Sequence, residues 1–116
     1  MIDMEYIGEA VSAAVETLMW SFDIPIDASI DGGVVPTVAV RVADFLTSPE
    51  VRGIIYLRNL QPEFIGQNLI FSANSHGAGF WDSGLGEDGD RLHELSKNFS
   101  TELFLDEEYG NHCWVA

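Results

Sequence analysis

Over residues 4–22, Ile7, Val11, Val15, Leu18 and Phe22 recur at spacings of three and four, with Glu5, Glu9, Ser12 and Glu16 on other faces. A helix turns once in ~3.6 residues, so this spacing gathers the apolar side chains into one stripe and predicts an amphipathic helix. Residues 23–36 hold Pro25, Pro36, the pair Gly32 and Gly33, and Asp23, Asp27 and Asp31. Those residue types favour turns, and the segment reads as an irregular connection. From Thr37 to Leu46 the set Val38, Val42, Phe45 and Leu46 again fits a helix, although the valines also suit a strand. Pro49 after Ser48 suits the first turn of a short helix reaching Leu60, with Val51, Ile54, Ile55 and Leu57 on its apolar side. Pro62 ends that helix or opens a further turn.

Beyond residue 68 the apolar runs shorten. Leu69–Phe71 and Phe80–Trp81 flank a cluster of turn formers at 74–79, the pattern of a hairpin. A Gly-rich connection over 82–89 follows, in which Asp88 to Asp90 can cap a helix with Leu92, Leu95 and Phe99 inside. Glu102–Leu105 and His112–Val115, separated by residues 106–111, predict a second hairpin. The expected class is α+β. N-terminal helices would pack on one face of a small antiparallel sheet of about four strands, formed by two C-terminal hairpins joined by a helix. Residues 1–116 are expected to be one domain, a size that buries about two-thirds of the surface its unfolded chain exposes.

Composition changes the picture through charge. The chain carries 19 Asp and Glu against five Lys and Arg, a net charge of −14, while 47% apolar residues and seven Phe argue for a packed core rather than disorder. The acids are uneven along the chain. Residues 1–31 carry seven carboxylates and no Lys or Arg, and residues 61–116 carry ten carboxylates and two cations. Such a field repels phosphate, so nucleic acid is not an expected ligand and a basic protein surface is the expected partner. The carboxylates expected to meet it are Glu5, Glu9 and Glu16 on the first helix and Asp106, Glu107 and Glu108 in the last hairpin. A solvated, solubilising surface is the plainer account of the same charges. A homodimer is a further possibility for the chain's association.

The single cysteine, Cys113, suits a reducing compartment. The first twenty residues lack the basic start and apolar run of a secretory signal, and nothing approaches the ~18 apolar residues of a membrane span. The expected location is the cytoplasm, with no membrane partner.

Residues 75–92 read SHGAGFWDSGLGEDGDRL. This run resembles one found near the C-terminus of a group of small bacteriophage proteins, GHGxGFWDxGLGxxGxxL. The likeness extends more weakly over Asn68–Asn74, Glu102–Leu105 and Tyr6–Ser21. Ser75 stands where a glycine is usual, Ser83 where a basic residue is common, and residues 106–108 replace a Gly-Asp-Asp turn. The resemblance implies a phage or prophage origin and, for a cytoplasmic protein, the cytoplasm of a bacterial host; the family brings no established activity.

Candidate chemistry centres on the same run. His76 and Asp82 are types that bind zinc or act as a general base, and a hairpin could bring them together, but an imidazole in a turn commonly bonds backbone instead. His93 falls on a surface-facing helix position. His112 beside Cys113 cannot share a proton, because neighbours in a strand point to opposite faces, so Cys113 reads as a core thiol. Asp82, Glu87, Asp88 and Asp90 lack the spacing of a calcium loop. Gly77, Gly79, Gly84, Gly86 and Gly89 would cradle phosphate only with a cation nearby, and none lies in the loop. They read instead as backbone devices around Phe80 and Trp81, expected to straddle the sheet with one ring in the core.

No cofactor, metal or catalytic residue is expected. The function these features point to is a phage-encoded inhibitor that binds a host nucleic-acid-handling or defence complex, of the anti-CRISPR or anti-restriction type, by mimicking DNA charge. The alternatives are a non-inhibitory phage accessory or structural protein, and a small metal-dependent enzyme around His76 and Asp82.

Overall fold

The computed structural model describes residues 2–75, 77–109 and 111–115. Five α-helices lie among them: α1 Met4–Ser21, α2 Val34–Thr47, α3 Pro49–Arg58, α4 Pro62–Ala73 and α5 Glu87–Ser96. Three short strands follow the order β1–β3–β2: β1 Ser29–Ile30, β2 Leu103–Asp106 and β3 His112–Val115. The class is α+β, with helices dominating.

Local chemistry starts each helix. The Asp3 carboxylate accepts the Tyr6 amide at 2.9 Å at the head of α1, and Ser48 Oγ accepts the Val51 amide ahead of Pro49 in α3. Either bond satisfies an amide that the helix itself leaves unpaired. Pro36 and Pro62 sit in the first turns of α2 and α4, where a missing N–H costs nothing. Asn59, in the left-handed conformation at φ 53°, ends α3.

The helices close on one apolar cluster. Ala10, Ala14 and Leu18 of α1, Val38, Val42 and Phe45 of α2, Val51 and Ile55 of α3, and Ile65 and Leu69 of α4 are buried in it. α1 packs most extensively on α4, and the approach is close because position 66 is glycine. A Cβ built on Gly66 would overlap the Ala10 carbonyl and press on the Ala13 methyl. α3 and α5 are tied at the surface by two ion pairs, Arg58 Nε to Asp88 at 2.9 Å and Arg91 to Glu50.

The sheet differs from the expected one. β2 and β3 form the last hairpin, antiparallel with Leu103 opposite Val115 and Asp106 opposite His112. The first hairpin does not exist. Leu69–Phe71 lies inside α4, and Phe80–Asp82 forms one turn of 3₁₀ helix. The helical spacing of Ile65, Leu69 and Ile70, all buried, outweighs a three-residue apolar run. The third strand comes from the segment expected to be irregular: β1 pairs parallel with β3, Ser29 with His112 and Ile30 with Cys113. The sheet is therefore mixed and three-stranded rather than antiparallel and four-stranded. α2 also begins at Val34, before Pro36, rather than after it.

Candidate interaction surface

The 75–92 run is organised around Phe80. Its ring is fully buried, stacked on Phe45 at 5.9 Å between centroids and tilted against Phe64 at 6.0 Å. Its amide donates to Ser72 Oγ at 2.9 Å, and the Asp82 carboxylate accepts the Gly79 amide at 3.0 Å across the turn. Gly79 has φ 140°, and a Cβ there would collide with Ser72 Oγ, so only glycine fits. Gly77, Gly84 and Gly86 also have positive φ. Trp81, next in sequence, points outward at 47% exposure. One ring is thus in the core and the other is not, but they leave a 3₁₀ turn rather than straddle a sheet.

That bonding decides what the run can do. Asp82 is spent on the turn, and His76 lies outside the described residues. Among the described residues, no group of three or more His, Cys, Asp or Glu side chains stands together as a metal site. Glu87, Asp88 and Asp90 occupy the first turn of α5, where negative charge meets the positive end of the helix dipole; they do not cap it, since the helix starts at Glu87. His93 is half-buried rather than surface-facing, with Nδ1 enclosed and unbonded. Cys113 is buried, as expected of a core thiol, and burial pushes its pKa up, which makes it a poor nucleophile.

One arrangement was not legible in the sequence. The parallel pairing of β1 with β3 sets Ser29 Oγ 2.8 Å from His112 Nδ1, and Asp31 Oδ1 lies 3.6 Å from Nε2. Serine, histidine and aspartate in this order invite a nucleophile reading. Yet the second Asp31 oxygen accepts the Gly33 amide at 2.9 Å, and the His112 and Asp31 side chains are 37% and 49% exposed. The three groups tie β1 to β3 and to the start of α2. The signal that could have found them is long-range, since 83 positions separate Ser29 from His112.

The acidic residues divide. Glu5, Glu9 and Glu16 are exposed on α1, and successive helical positions turn by about 100°, which places all three within about 40° of arc. Among the described residues, no cation pairs with any of them. Four of the five Lys and Arg side chains are engaged elsewhere: Arg58, Arg91 and Lys97 pair with Asp88, Glu50 and Glu94, and Arg41 donates to Thr101 Oγ1 at 2.9 Å. Glu5 and Glu9 share a depression with Asp3 where α1 meets the end of α3. Glu16 lies beside Glu63, Trp20 and Phe71 in a cleft between α1 and α4. In the hairpin, Glu107 and Glu108 are exposed, whereas Asp106 is half-buried and accepts the Glu108 amide at 3.1 Å, a turn-forming bond.

The aligned stripe has an apolar flank. Met4, Ile7, Gly8, Val11 and Val15 of α1 face Val35 and Ala39 of α2 across an open groove of about 710 Å³. Ile7 and Val15, expected in the core, are only half-buried there, and Met4 is 82% exposed.

No family model, curated protein or solved structure matches this chain. Among the described residues, no helix is long and apolar enough to cross a membrane.

Proposed function

We propose that this chain is a phage-encoded, non-enzymatic protein that binds the basic surface of a nucleic-acid-handling or defence complex and competes there with phosphates. The observation that carries the reading is the α1 stripe: three exposed carboxylates in register, with no Lys or Arg in the first 40 residues and four of the five later cations engaged elsewhere. Charges of one sign left uncompensated along a rigid helix cost self-repulsion in the free protein and accelerate encounter with a basic groove. The likeness of residues 75–92 to a run in small phage proteins supports the phage origin. The bonding of that run around Phe80 supports a scaffold role for it.

The test is capture of bacterial lysate proteins on the parent chain and on a Glu5→Lys, Glu9→Lys, Glu16→Lys variant, at low and high salt. The reading expects nucleic-acid-binding proteins on the parent, displaced by added duplex DNA and lost from the variant. A bound set that neither DNA nor the substitutions alter would overturn it in favour of a non-inhibitory accessory protein.

A further inference from the structure

Resting on that reading of the α1 stripe, we propose that the groove between α1 and α2 is the seat of a basic amphipathic helix of the partner. The groove and the stripe share one helix. Its lining takes in Glu16 of the stripe and Ser12, about 20° round α1 from Glu5, and continues through Gly8, Val15, Met4 and Val11, so Glu16 stands on the rim with Glu5 and Glu9 aligned just beyond it. The lining from Met4 to Glu16 covers twelve helical steps, about 18 Å, which matches roughly three turns of a helix laid alongside. An apolar floor with a charged rim is how grooves receive amphipathic helices, through residues spaced three and four apart.

Charge selects the occupant. A helix with lysine or arginine beside its apolar face would meet Glu16 at the rim as it seats and be drawn by Glu5 and Glu9 aligned beyond it. A second copy of this chain would instead set two acidic rims against each other, at −14 per molecule. Gly8 adds room: a Cβ built there meets nothing within 4 Å, so the glycine leaves the wall of the groove low at mid-length. Glycine in a helix interior is less stable than alanine by roughly 0.5–1 kcal/mol, and here no packing within the chain accounts for it. A partner backbone approaching at that point would.

The test uses a fluorescent peptide of about 14 residues, with leucines three and four apart and lysines elsewhere, and a scrambled peptide of the same composition. The patterned peptide should bind at least tenfold more tightly than the scramble. Gly8→Gln, which puts a long side chain into the groove while raising helix propensity, should abolish that difference without loss of fold by circular dichroism. Equal, salt-sensitive binding of both peptides would overturn the groove as the seat and leave the acidic-surface reading standing. Binding of neither would overturn both. Sedimentation of the unliganded chain as a dimer that Gly8→Gln dissociates would assign the groove to a second copy, and the proposal would fall.

Discussion

The Ser72 hydroxyl, near the end of α4, accepts the Phe80 amide at 2.9 Å, and both residues are buried. Through this bond α4 fixes the turn that inserts Phe80 between Phe45 and Phe64. Ser72→Ala leaves a buried amide without a partner and should cost about 1–3 kcal/mol in urea unfolding.

The neighbouring rings should separate sharply in the same assay. Phe80→Ala empties a fully buried site and should cost about 3–5 kcal/mol. Trp81→Ala removes a ring that is 47% exposed, and should cost about 1 kcal/mol. The reverse order would mean that the 80–82 turn faces the other way.

The crossing of α1 and α4 offers a more local test. Gly66→Ala drives a methyl into the Ala10 carbonyl, and neither backbone can yield without separating the helices. Overpacking of this kind typically costs about 1–3 kcal/mol, more than the gain in helix propensity from replacing glycine. A more stable variant would show that the helices pack further apart.

How far the sequence revealed this molecule depends on the range of the interactions involved. α1 was legible because Val11 and Leu18 keep helical spacing, a local feature. Pro49 marked the start of α3 for the same reason, whereas Pro62 read only as a stop or a further turn and in fact opens α4. The false hairpin arose where a short apolar run, Leu69–Phe71, is ambiguous by period and is resolved only by burial against α1. β1 has two residues, and its partner lies 83 positions away, so nothing local could announce it. For the surface, the acids themselves were visible. That the stripe runs beside an open apolar groove, with Glu16 on its edge, depends on where α2 docks.

Tyr6 gives a pH-dependent signature of the α1–α4 contact. Its hydroxyl donates to the Leu60 carbonyl at 2.8 Å; burial, and then the nearby Glu63 carboxylate, push its pKa from 10.0 to about 12. The folded state thus favours the protonated phenol. The associated stability is full below pH 10 and is lost as pH rises from there through about 12. Ultraviolet titration should find one tyrosine ionising about two units above the unfolded value, and Tyr6→Phe should remove that transition and flatten stability across the window. Ionisation of every tyrosine near pH 10 would contradict the contact.

The acidic stripe predicts a stability effect that needs no partner. Glu5 and Glu9 are four apart on α1, and like charges at that spacing destabilise a helix by about 0.2–0.5 kcal/mol. Glu16 shares its cleft with Glu63, a second unfavourable meeting. Glu9→Lys with Glu16→Lys converts both to attraction and brings the net charge from −14 to −10, two units for each substitution. Glu5 differs, because it lies in the first turn of α1, where a carboxylate gains roughly 0.3–1 kcal/mol from the helix dipole. Adding Glu5→Lys to the double variant forfeits that gain and turns the new attraction between positions 5 and 9 back into repulsion. The double variant should therefore melt above the parent at low ionic strength, and adding Glu5→Lys should bring no further rise. Near 1 M salt the Debye length falls to about 3 Å, and the advantage of the double variant should largely vanish. A double variant no more stable than the parent at low salt would show that the stripe bears no uncompensated repulsion, and the field argument for a basic partner would lose its foundation.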